Sequence, residues 1–370
     1  MKKKVLISGA SFAGLTLACW LNKFGYQVTV AELGKELRKG GSPIDVRGEA
    51  LDIVRELGIY DKIKAGEFVH TDEIVDANDK TLTTFSLNKQ AEYLGDIEIH
   101  RGDLLDILYD IVPKEEVRFI FGNSIATLVQ HKDQVEVGFE NGERGSFDFV
   151  IGADGTHSIV RELVFGPEEN FKKFFGVYFA FAKADHIQTG RPKNTGLIYR
   201  ELGKQAVIYQ FKDAANAILV FRAPKLDWNY RDHKQHKQIL EQYFSGNTNW
   251  KIPEILDTMR HSENLYFDEA CQIHMPTWTK GRVALVGDAA HAPSFFTGMG
   301  TSLALQGATL LAKEMQANED YNIAFEKYNE TFRPFAESIQ ARIHRGLKVH
   351  LPETEEELQA SIERWTNDDK

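Results

Sequence analysis

The start of the chain holds the pattern that most restricts its fold. An apolar run over residues 4–8 ends at Gly9, residues 12–24 carry apolar positions at helical spacing, and a second apolar run over 27–31 ends in Glu32. Short apolar runs bounded by glycine are typical of buried parallel strands, and the period between them is that of a helix. The segment therefore predicts a strand–turn–helix–strand unit and an α/β, Rossmann-like fold.

The turn of this unit is typical of a dinucleotide site. Gly9 allows a tight turn, Gly14 allows the helix to pack close to the strand, and the helix N-terminus offers free N–H groups to a pyrophosphate. Glu32, 18 residues after Gly14, can accept hydrogen bonds from adenosine ribose hydroxyls. Ser11 replaces the usual middle glycine, which weakens the match, and a turn without a cofactor is the alternative. The predicted cofactor contacts here are Gly9, Ser11, Phe12, Ala13, Gly14 and Glu32.

Two later segments each contain a buried strand that ends in a Gly/Asp turn. In residues 148–161, Asp154 is either an N-terminal helix cap or a cofactor ligand. In residues 278–300, Asp288 can accept from a sugar or ribityl hydroxyl. The amides of residues 298–300 open a helix, and they suit a place where negative charge gathers, as at N1 and C2=O of a reduced flavin.

The composition narrows the class of protein and its partners. At about 150 residues per domain, 370 residues allow two or three structural units. With 44 basic and 54 acidic residues the net charge is −10, which disfavours nucleic acid and anionic lipid. Cys19 and Cys271 belong to no disulfide or metal-binding pattern, and no stretch reaches the ~18 apolar residues of a membrane span. We therefore expect no metal, and we also expect a monomer that binds neither nucleic acid nor membrane.

The first residues also have one feature of an export signal. The basic residues 2–4 precede an apolar run, but Gly9 and Gly14 interrupt that run and no cleavage site follows. This pattern favours a cytoplasmic protein over an exported one.

In this order, the three glycine segments resemble the glycine, DG and GD motifs of the class A FAD-dependent monooxygenases, which share the para-hydroxybenzoate hydroxylase-like fold. Residues 100–105 are similar to that family's arginine segment, which lies on the helix that meets the flavin. The resemblance spans the whole chain. Finer segments are similar to the tetracycline-inactivating branch, the tetracycline destructases, namely 38–41, 44–48, 101–104, 278–282, 328–330 and 333–335.

The resemblance implies a Rossmann-like FAD-binding domain with an inserted antiparallel-sheet substrate domain and C-terminal helices. Residues 171–222, which alternate aromatic and polar side chains, are consistent with the inserted sheet. The implied boundaries are 1–70, 96–168 and 270–320 for the FAD-binding domain, 71–95 and 169–269 for the substrate domain, and 321–370 for the C-terminal helical segment.

The resemblance also implies the chemistry. FAD is expected to be tight and non-covalent, to be reduced by NADPH or NADH, and to react with O2 through a flavin C4a-hydroperoxide that hydroxylates an electron-rich polycyclic or aromatic substrate. Because the chain has one dinucleotide fingerprint, the nicotinamide cofactor would bind only transiently. No side chain need act as a catalyst, since the flavin carries the reaction. Tetracycline inactivation is the favoured activity; a simple phenol, another antibiotic and a non-catalytic flavin-binding protein are the alternatives.

The family roles can be carried over to this chain residue by residue. Arg101 would bridge phosphate or ribityl and pair with Asp288, and Arg47 would lie near the isoalloxazine. Met299 replaces the family's glutamine in the GD turn, although its backbone amide remains available. His291 is expected to pack or cap a turn. The further cofactor contacts are Arg47, Arg101, Leu104, Asp154, Asp288, Pro293, Gly298, Met299 and Gly300.

The substrate residues are less defined by motif. The aromatic side chains of the inserted sheet could line a pocket for a flat ligand, but alternation along strands places about half of them in the core. Arg222 either contacts substrate or forms a surface salt bridge. The predicted substrate contacts are Arg222, Tyr209, Phe211 and Phe296.

Overall fold

The computed structural model describes residues 2–38, 40–86, 95–211 and 214–367. The expected segments include some residues that lie outside the described ones: Met1, Lys39, residues 87–94, residues 212–213 and residues 368–370. The strands are Lys4–Ser8 (β1), Gln27–Glu32 (β2), Pro43–Val46 (β3), Thr71–Val75 (β4), Thr81–Phe85 (β5), Ile97–His100 (β6), Arg118–Phe121 (β7), Ile125–Gln130 (β8), Val135–Phe139 (β9), Arg144–Phe147 (β10), Phe149–Gly152 (β11), Lys172–Lys183 (β12), Thr195–Glu201 (β13), Lys204–Phe211 (β14), Ala214–Arg222 (β15), Tyr266–Ile273 (β16), Thr279–Lys280 (β17) and Val283–Leu285 (β18).

The helices are Phe12–Lys23 (α1), Glu49–Glu56 (α2), Tyr60–Ala65 (α3), Arg101–Ile111 (α4), Ile159–Phe165 (α5), His233–Phe244 (α6), Ile252–His261 (α7), Asp288–His291 (α8), Gly300–Ala317 (α9), Tyr321–Gln340 (α10), Ile343–His350 (α11) and Glu355–Asn367 (α12). Two short 3-10 turns lie at Glu168–Asn170 and Phe295–Thr297.

The first sheet has the strand order β17-β18-β11-β1-β2-β7. β1 pairs in parallel with β2 on one side and β11 on the other, and β11 pairs in parallel with β18. Val5, Leu6 and Ile7 of β1 are fully buried, as expected for a parallel strand that is covered on both faces. The strand–turn–helix–strand prediction is confirmed, because the apolar run reflects burial from both sides.

The second sheet has the order β16-β12-β15-β14-β13-β4-β5, and its neighbours are antiparallel except for β13 and β4. The inserted antiparallel sheet is therefore confirmed, and strands from before and after residues 171–222 extend it. β16 stays in this sheet up to Ile273, so the expected boundary at residue 270 falls inside a strand. The smaller strands form a β10-β9-β8 sheet and a ribbon of β3 and β6.

Side chains of the second sheet alternate between two apolar layers. Tyr178 and Phe221 lie in the layer that α6 and α7 cover. Phe179 and Phe181 lie in the opposite layer, together with Phe296 and side chains of α11. Alternation along the strands therefore places the aromatic residues in two different layers.

The last three helices run from the first sheet to the second. α10 packs on α9, and the Tyr328 hydroxyl donates to the carbonyl of Leu285 in β18 at 3.1 Å. α11 packs on the turn at Phe295–Thr297, and α12 contacts β5, where Arg200 of β13 donates to the carbonyl of Ser361 at 3.3 Å. The α/β fold with an inserted sheet and C-terminal helices is as expected. Among the described residues, no helix has both the length and the apolar character needed to cross a membrane.

Candidate functional site

The loop between β1 and α1 requires glycine at two positions. Gly9 has a φ of +105°, and a Cβ there would lie 2.4 Å from the carbonyl oxygen of Ala153. A Cβ on Gly14 would lie 2.0 Å from the carbonyl oxygen of Gly9. Both distances are far below van der Waals contact, so the two glycines have the steric roles that the motif predicts.

The first turn of α1 offers free donors next to a carboxylate. Ser11 is the N-cap, but its side chain makes no capping hydrogen bond, and the first amides of a helix have no partner within the helix. Glu32, at the end of β2, accepts from the amide of Ala10 at 2.8 Å through one oxygen and from the amide of Gly34 at 2.8 Å through the other. Each carboxylate oxygen keeps a further lone pair. This end of the sheet can bind an anionic group and a hydroxyl donor side by side.

Asp154 in the DG segment has a structural role. Its carboxylate accepts from the hydroxyl of Ser158 at 2.5 Å, from the amide of Val160 at 3.2 Å and from the hydroxyl of Ser8 at 3.3 Å. These bonds hold the start of α5 against the end of β1, and burial raises the pKa of Asp154. The structure therefore favours the capping interpretation over a cofactor contact.

Arg161 was not identified from the sequence, although it connects two of the motifs. Its side chain is fully buried and donates to the carbonyl of Ala289 at 3.1 Å and to the carboxylate of Glu168 at 2.8 Å. The DG and GD segments are thereby fixed to each other. A single arginine on a short helix gives no sequence signal of such a contact.

Asp288 begins α8 beside the glycine loop. A Cβ on the preceding Gly287 would lie 3.0 Å from Cβ of Ala13, so the GD turn packs against the start of α1. Asp288 is exposed to solvent in this structure, although the protein groups around it partly desolvate its carboxylate. This desolvation and the negative charge of Asp268 raise the pKa of Asp288 to about 6, while the nearby arginines oppose the shift.

Arg101 lies near Asp288 but does not pair with it. Its guanidinium donates to the carbonyls of Arg38 at 2.5 Å and Gly40 at 3.2 Å, and it lies 5.4 Å from the ring centre of Phe12. Burial and the positive charge of Arg38 lower the pKa of Arg101 to about 10. The described residues show no ion pair between Arg101 and Asp288, and Nη1 of Arg101 donates to the loop carbonyls instead.

The start of α9 and the ribbon form the other end of the site. Gly298 has a left-handed φ of +64°, and a Cβ there would lie 3.8 Å from both Arg47 Nη1 and Asp45 Oδ2. The Arg47 amide donates to the hydroxyl of Ser302 at 3.0 Å, and its guanidinium donates to Asp45 at 2.8 Å. Met299 is buried as the N-cap of α9. Arg47 and the GD turn are therefore close together, as the family roles require.

A cluster of charged side chains, His70, Asp72 and Glu98, joins the ribbon of β3 and β6 to the second sheet. His70 has its Nε2 3.2 Å from Asp72 of β4 and its Nδ1 3.2 Å from Glu98 of β6. Although burial alone would lower it, the two carboxylates raise the pKa of His70 to about 10. Sequence reasoning missed this group because its members lie in separate segments without a motif.

Two predicted cofactor contacts are buried in this structure. Leu104 is fully buried in the core on α4, so no part of it is exposed to a ligand. Pro293 is also buried, and its carbonyl accepts from the side-chain amide of Gln272 at 3.0 Å.

Burial lowers the pKa of His291 to about 3, and its ring packs against Trp278 and Phe332. The packing role expected for His291 agrees with this environment.

Two of the four predicted substrate residues, Arg222 and Phe296, contact the C-terminal helical segment. Arg222 donates to the carbonyl of Leu351 at 3.1 Å and pairs with Glu353 at 3.0 Å, so it is the salt-bridge alternative that the structure supports. Phe296 is only 7% exposed beneath α11. Its neighbour Phe295 is 40% exposed and stacks on Phe179 with ring centres 5.3 Å apart.

The other two substrate candidates lie near the ribbon. Phe211 is buried, with its ring centre 3.9 Å from that of His100. Tyr209 is half-buried, stacks on Phe211 at 6.1 Å and meets His70 at 5.8 Å. These two side chains lie beside the charged group of His70.

Comparison with known proteins agrees with the three-motif arrangement. The model of the FAD binding domain family matches residues 2–342. The chain belongs to this FAD-binding family. A flavin-dependent monooxygenase from an unknown prokaryotic organism is 37% identical over 349 residues, covering 92% of this chain and 88% of the relative. Another, from Legionella longbeachae, is 35% identical and covers 91% and 87% of the two chains. The protein is thus an FAD-dependent monooxygenase.

Comparison with solved structures gives the same result for the fold. Tetracycline destructase Tet(55) has a TM-score of 0.85 and 33% identity, covering 99% of this chain and 97% of its own. Tetracycline destructase Tet(51) has a TM-score of 0.87 and 33% identity, covering 100% and 96%. Klebsiella pneumoniae HpxO, solved with FAD and uric acid, is 20% identical at a TM-score of 0.76 and supports the fold alone.

Proposed function

We propose that this FAD-dependent monooxygenase inactivates tetracycline antibiotics by adding one oxygen atom from O2, with NADPH or NADH as the reductant. The observation that carries the proposal is the likeness to two tetracycline destructases over nearly the whole chain, at 33% identity and TM-scores of 0.85 and 0.87. Both domains and the C-terminal helices take part in that likeness.

The residues present fit FAD. A Cβ on Gly9 or Gly14 would fill the space in the loop between β1 and α1. This loop lies beside the open amides of α1 and the carboxylate of Glu32. Asp288 lies on the same side of the loop and is positioned as an acceptor for a hydroxyl group. Those groups would hold the pyrophosphate, the adenosine ribose and the ribityl chain. The proposed FAD contacts are Gly9, Ser11, Phe12, Ala13, Gly14, Glu32, Arg47, Arg101, Asp288, Gly298, Met299 and Gly300.

The start of α9 is suited to the reactive end of the cofactor. When bound and reduced, FAD would supply the oxygen-transfer chemistry. The 18-residue helix α9 begins at Gly300, and its N-terminal end favours negative charge. The amides of Gly298 and Met299 donate to the carbonyl of Phe295 and to the hydroxyl of Thr297 in this structure. The Arg47 guanidinium lies near Gly298, where it pairs with Asp45 and Asp96. Neither feature moves a proton; the helix end would stabilise the charge that reduction places on the ring.

Aromatic side chains beside the GD turn support a flat substrate. Phe295 projects from the GD turn and stacks on Phe179, and Phe181 and Tyr266 extend this aromatic surface. A polycycle with enol and phenol groups could lie against such rings while its electron-rich carbon sits within ~3.5 Å of the reacting oxygen. Tetracyclines have both kinds of group.

Tetracycline absorbance tests the proposal. Enzyme with FAD, NADPH and O2 should remove that absorbance and consume NADPH faster when tetracycline is present. Heat-treated protein and a panel of simple phenols serve as controls. If a phenol stimulates NADPH consumption and tetracycline does neither, the proposed substrate is wrong although the enzyme class stands.

A further inference from the structure

The second sheet holds a carboxylate with one unpaired oxygen. Asp72 of β4 is only 2% exposed, and its Oδ2 lies 3.2 Å from Nε2 of His70. Among the described residues, no donor meets the other oxygen, Oδ1, although that atom is also buried. Buried carboxylate oxygens normally accept hydrogen bonds, because an unpaired one has lost its water without compensation. The charge on this oxygen is therefore free to act on a further cation.

The strand register places Asp72 on the same face of the sheet as the aromatic rings of β12. Paired residues form one row across five strands: Asp72, Gly196, Tyr209, Asn216 and Lys183. Residues that pair across strands share a face, and residues two positions apart in one strand also share a face. Phe181 lies two positions before Lys183, so Asp72 and Phe181 are on one surface.

A glycine leaves room for the carboxylate beside Tyr209. A Cβ on Gly196 would lie 2.0 Å from Oδ1 of Asp72 and 2.8 Å from Cε1 of Tyr209. The unpaired oxygen therefore lies over the backbone of β13, next to the edge of the phenol ring. Tyr209 itself is half-buried, so part of its side chain remains accessible to a ligand.

One imidazolium serves two carboxylates at this end of the sheet. The Nδ1 of His70 lies 3.2 Å from Glu98, so the ring is held between Glu98 and Asp72. Although burial alone would lower it, these carboxylates raise the pKa of His70 to about 10, and the ring is a cation at neutral pH. The three side chains together carry one net negative charge.

The adjoining ribbon repeats this imbalance. Arg47 lies 2.8 Å from Asp45 and 3.7 Å from Asp96, so one guanidinium again serves two carboxylates. Arg200 of β13 adds a positive charge on the same face of the sheet, but it donates to neutral oxygens. With Arg200 included, this group holds four carboxylates and three cations. Burial raises the pKa of Asp45 and of Glu98, and a further cation would counter both shifts.

This group of charges lies within reach of a substrate bound at the GD turn. Arg47 follows the ribbon strand β3, and its Nη1 would lie 3.8 Å from a Cβ on Gly298. Across the second sheet, the strand of Tyr209 is two strand intervals from β12, which corresponds to about 10 Å. A polycycle of four fused rings that lies against Phe179 and Phe295 therefore reaches Tyr209.

We propose that Asp72 is a specificity-determining residue whose carboxylate, together with the ring of Tyr209, attracts an amine cation on the polycyclic substrate. The inference rests on the proposed function and narrows its substrate class to enolic or phenolic polycycles that carry a protonated tertiary amine. Aromatic rings attract such cations, and a carboxylate at the ring edge adds to that attraction. Tetracyclines carry a dimethylamino group on the ring at the far end from the phenol. Asp72 acts on binding and not on the oxygen transfer.

The test compares tetracycline with its analogue that lacks the dimethylamino group, at pH 7 with enzyme, FAD and NADPH. Substrate-stimulated NADPH consumption gives KM for each compound. The wild type should have a KM about tenfold lower for tetracycline, the size expected from one charge several ångströms from a carboxylate. In Asp72→Asn the two KM values should approach each other, through a rise in KM for tetracycline.

Glu73→Gln is the matched control. Glu73 follows Asp72 in β4, so it points to the opposite face of the sheet, where it pairs with Arg191 at 2.9 Å. The substitution removes the same charge from the same strand, and it should keep the KM ratio of the wild type.

The outcomes separate the inference from the function on which it rests. Equal KM values in the wild type, a ratio that survives Asp72→Asn, or a ratio lost equally in Glu73→Gln would overturn the role of Asp72. Should Asp72→Asn fail to fold, Tyr209→Leu decides the question: a smaller ratio supports the inference, and an unchanged ratio overturns it. If neither compound stimulates NADPH consumption while a simple phenol does, the proposed function itself has failed and the inference falls with it.

Discussion

Replacement of Gly14 by alanine tests the close approach of α1 to the end of β1. The new Cβ would lie 2.0 Å from the carbonyl oxygen of Gly9 and 3.4 Å from Cγ2 of Ile7. An ordinary non-bonded contact is about 3.4 Å or more, so the helix start has to retreat by more than roughly 1 Å. Overpacking of this kind costs about 1–3 kcal/mol. The open amides of the first turn move with the helix, and we expect FAD affinity to fall by about tenfold to a hundredfold.

FAD titration of apoprotein measures this loss, and thermal unfolding measures the accompanying loss of stability. Gly25→Ala is the matched control, because Gly25 has a φ of +87° but no atom within 4 Å of a new Cβ. That variant should lose stability through backbone strain alone and bind FAD normally. Unchanged FAD affinity in a folded Gly14→Ala protein would refute the assignment of this loop to the cofactor.

Three further predictions address the site and the ion pairs of Glu168. Asp288→Ala should weaken FAD binding by about 1–3 kcal/mol, because it removes a carboxylate acceptor, whereas His291→Ala should lower stability and leave kcat intact at saturating FAD; equal FAD affinity in both variants would contradict this. Although burial alone would raise it, His157 and Lys172 lower the pKa of Glu168 to about 2. The ionised Glu168 therefore contributes up to about 3 kcal/mol to the free energy of unfolding. This contribution is complete above about pH 5 and is lost as the pH falls towards 2. Denaturant unfolding of Glu168→Gln beside the wild type should show the difference disappearing in acid, and a constant difference would count against it. Phe295→Leu should raise KM for a polycyclic substrate with little change in stability, whereas Phe296→Leu should mainly lower the melting temperature. The reverse pattern would indicate that Phe296, and not Phe295, contacts the substrate.

The elements that sequence predicts well are those with a short, repeated physical cause. β1 and β2 are apolar because both of their faces are buried, and Gly9 and Gly14 are needed because backbone atoms occupy the space of a side chain. Such causes act within a few residues of the chain. The first sheet, the inserted sheet and the glycine loop follow from them.

Side-chain partners are harder to predict because they depend on distant loops. Arg101 donates to carbonyls of the loop at 38–40 instead of pairing with Asp288. Phe295 is exposed and Phe296 is buried because of a turn in which Ser294 has a φ of +77°. No pattern in the sequence predicts that backbone conformation. Leu104 belongs to a family-like segment, but one face of its helix turns into the core.

Sequence motifs do not predict buried charged groups whose members come from separate segments of the chain. His157 meets a residue more than a hundred positions away in β16, and neither position has a spacing rule that links it to the other. Only the fold brings such groups together.

The central claim is that the protein transfers oxygen from O2 to tetracycline through bound FAD. Mass spectrometry of the product formed under isotopically labelled O2 tests it most directly. The account predicts tetracycline that carries one labelled oxygen atom, formed only when FAD and NADPH or NADH are both present. Unmodified tetracycline, in a reaction where the protein holds FAD and oxidises the nicotinamide cofactor in response to another aromatic compound, would contradict the claim.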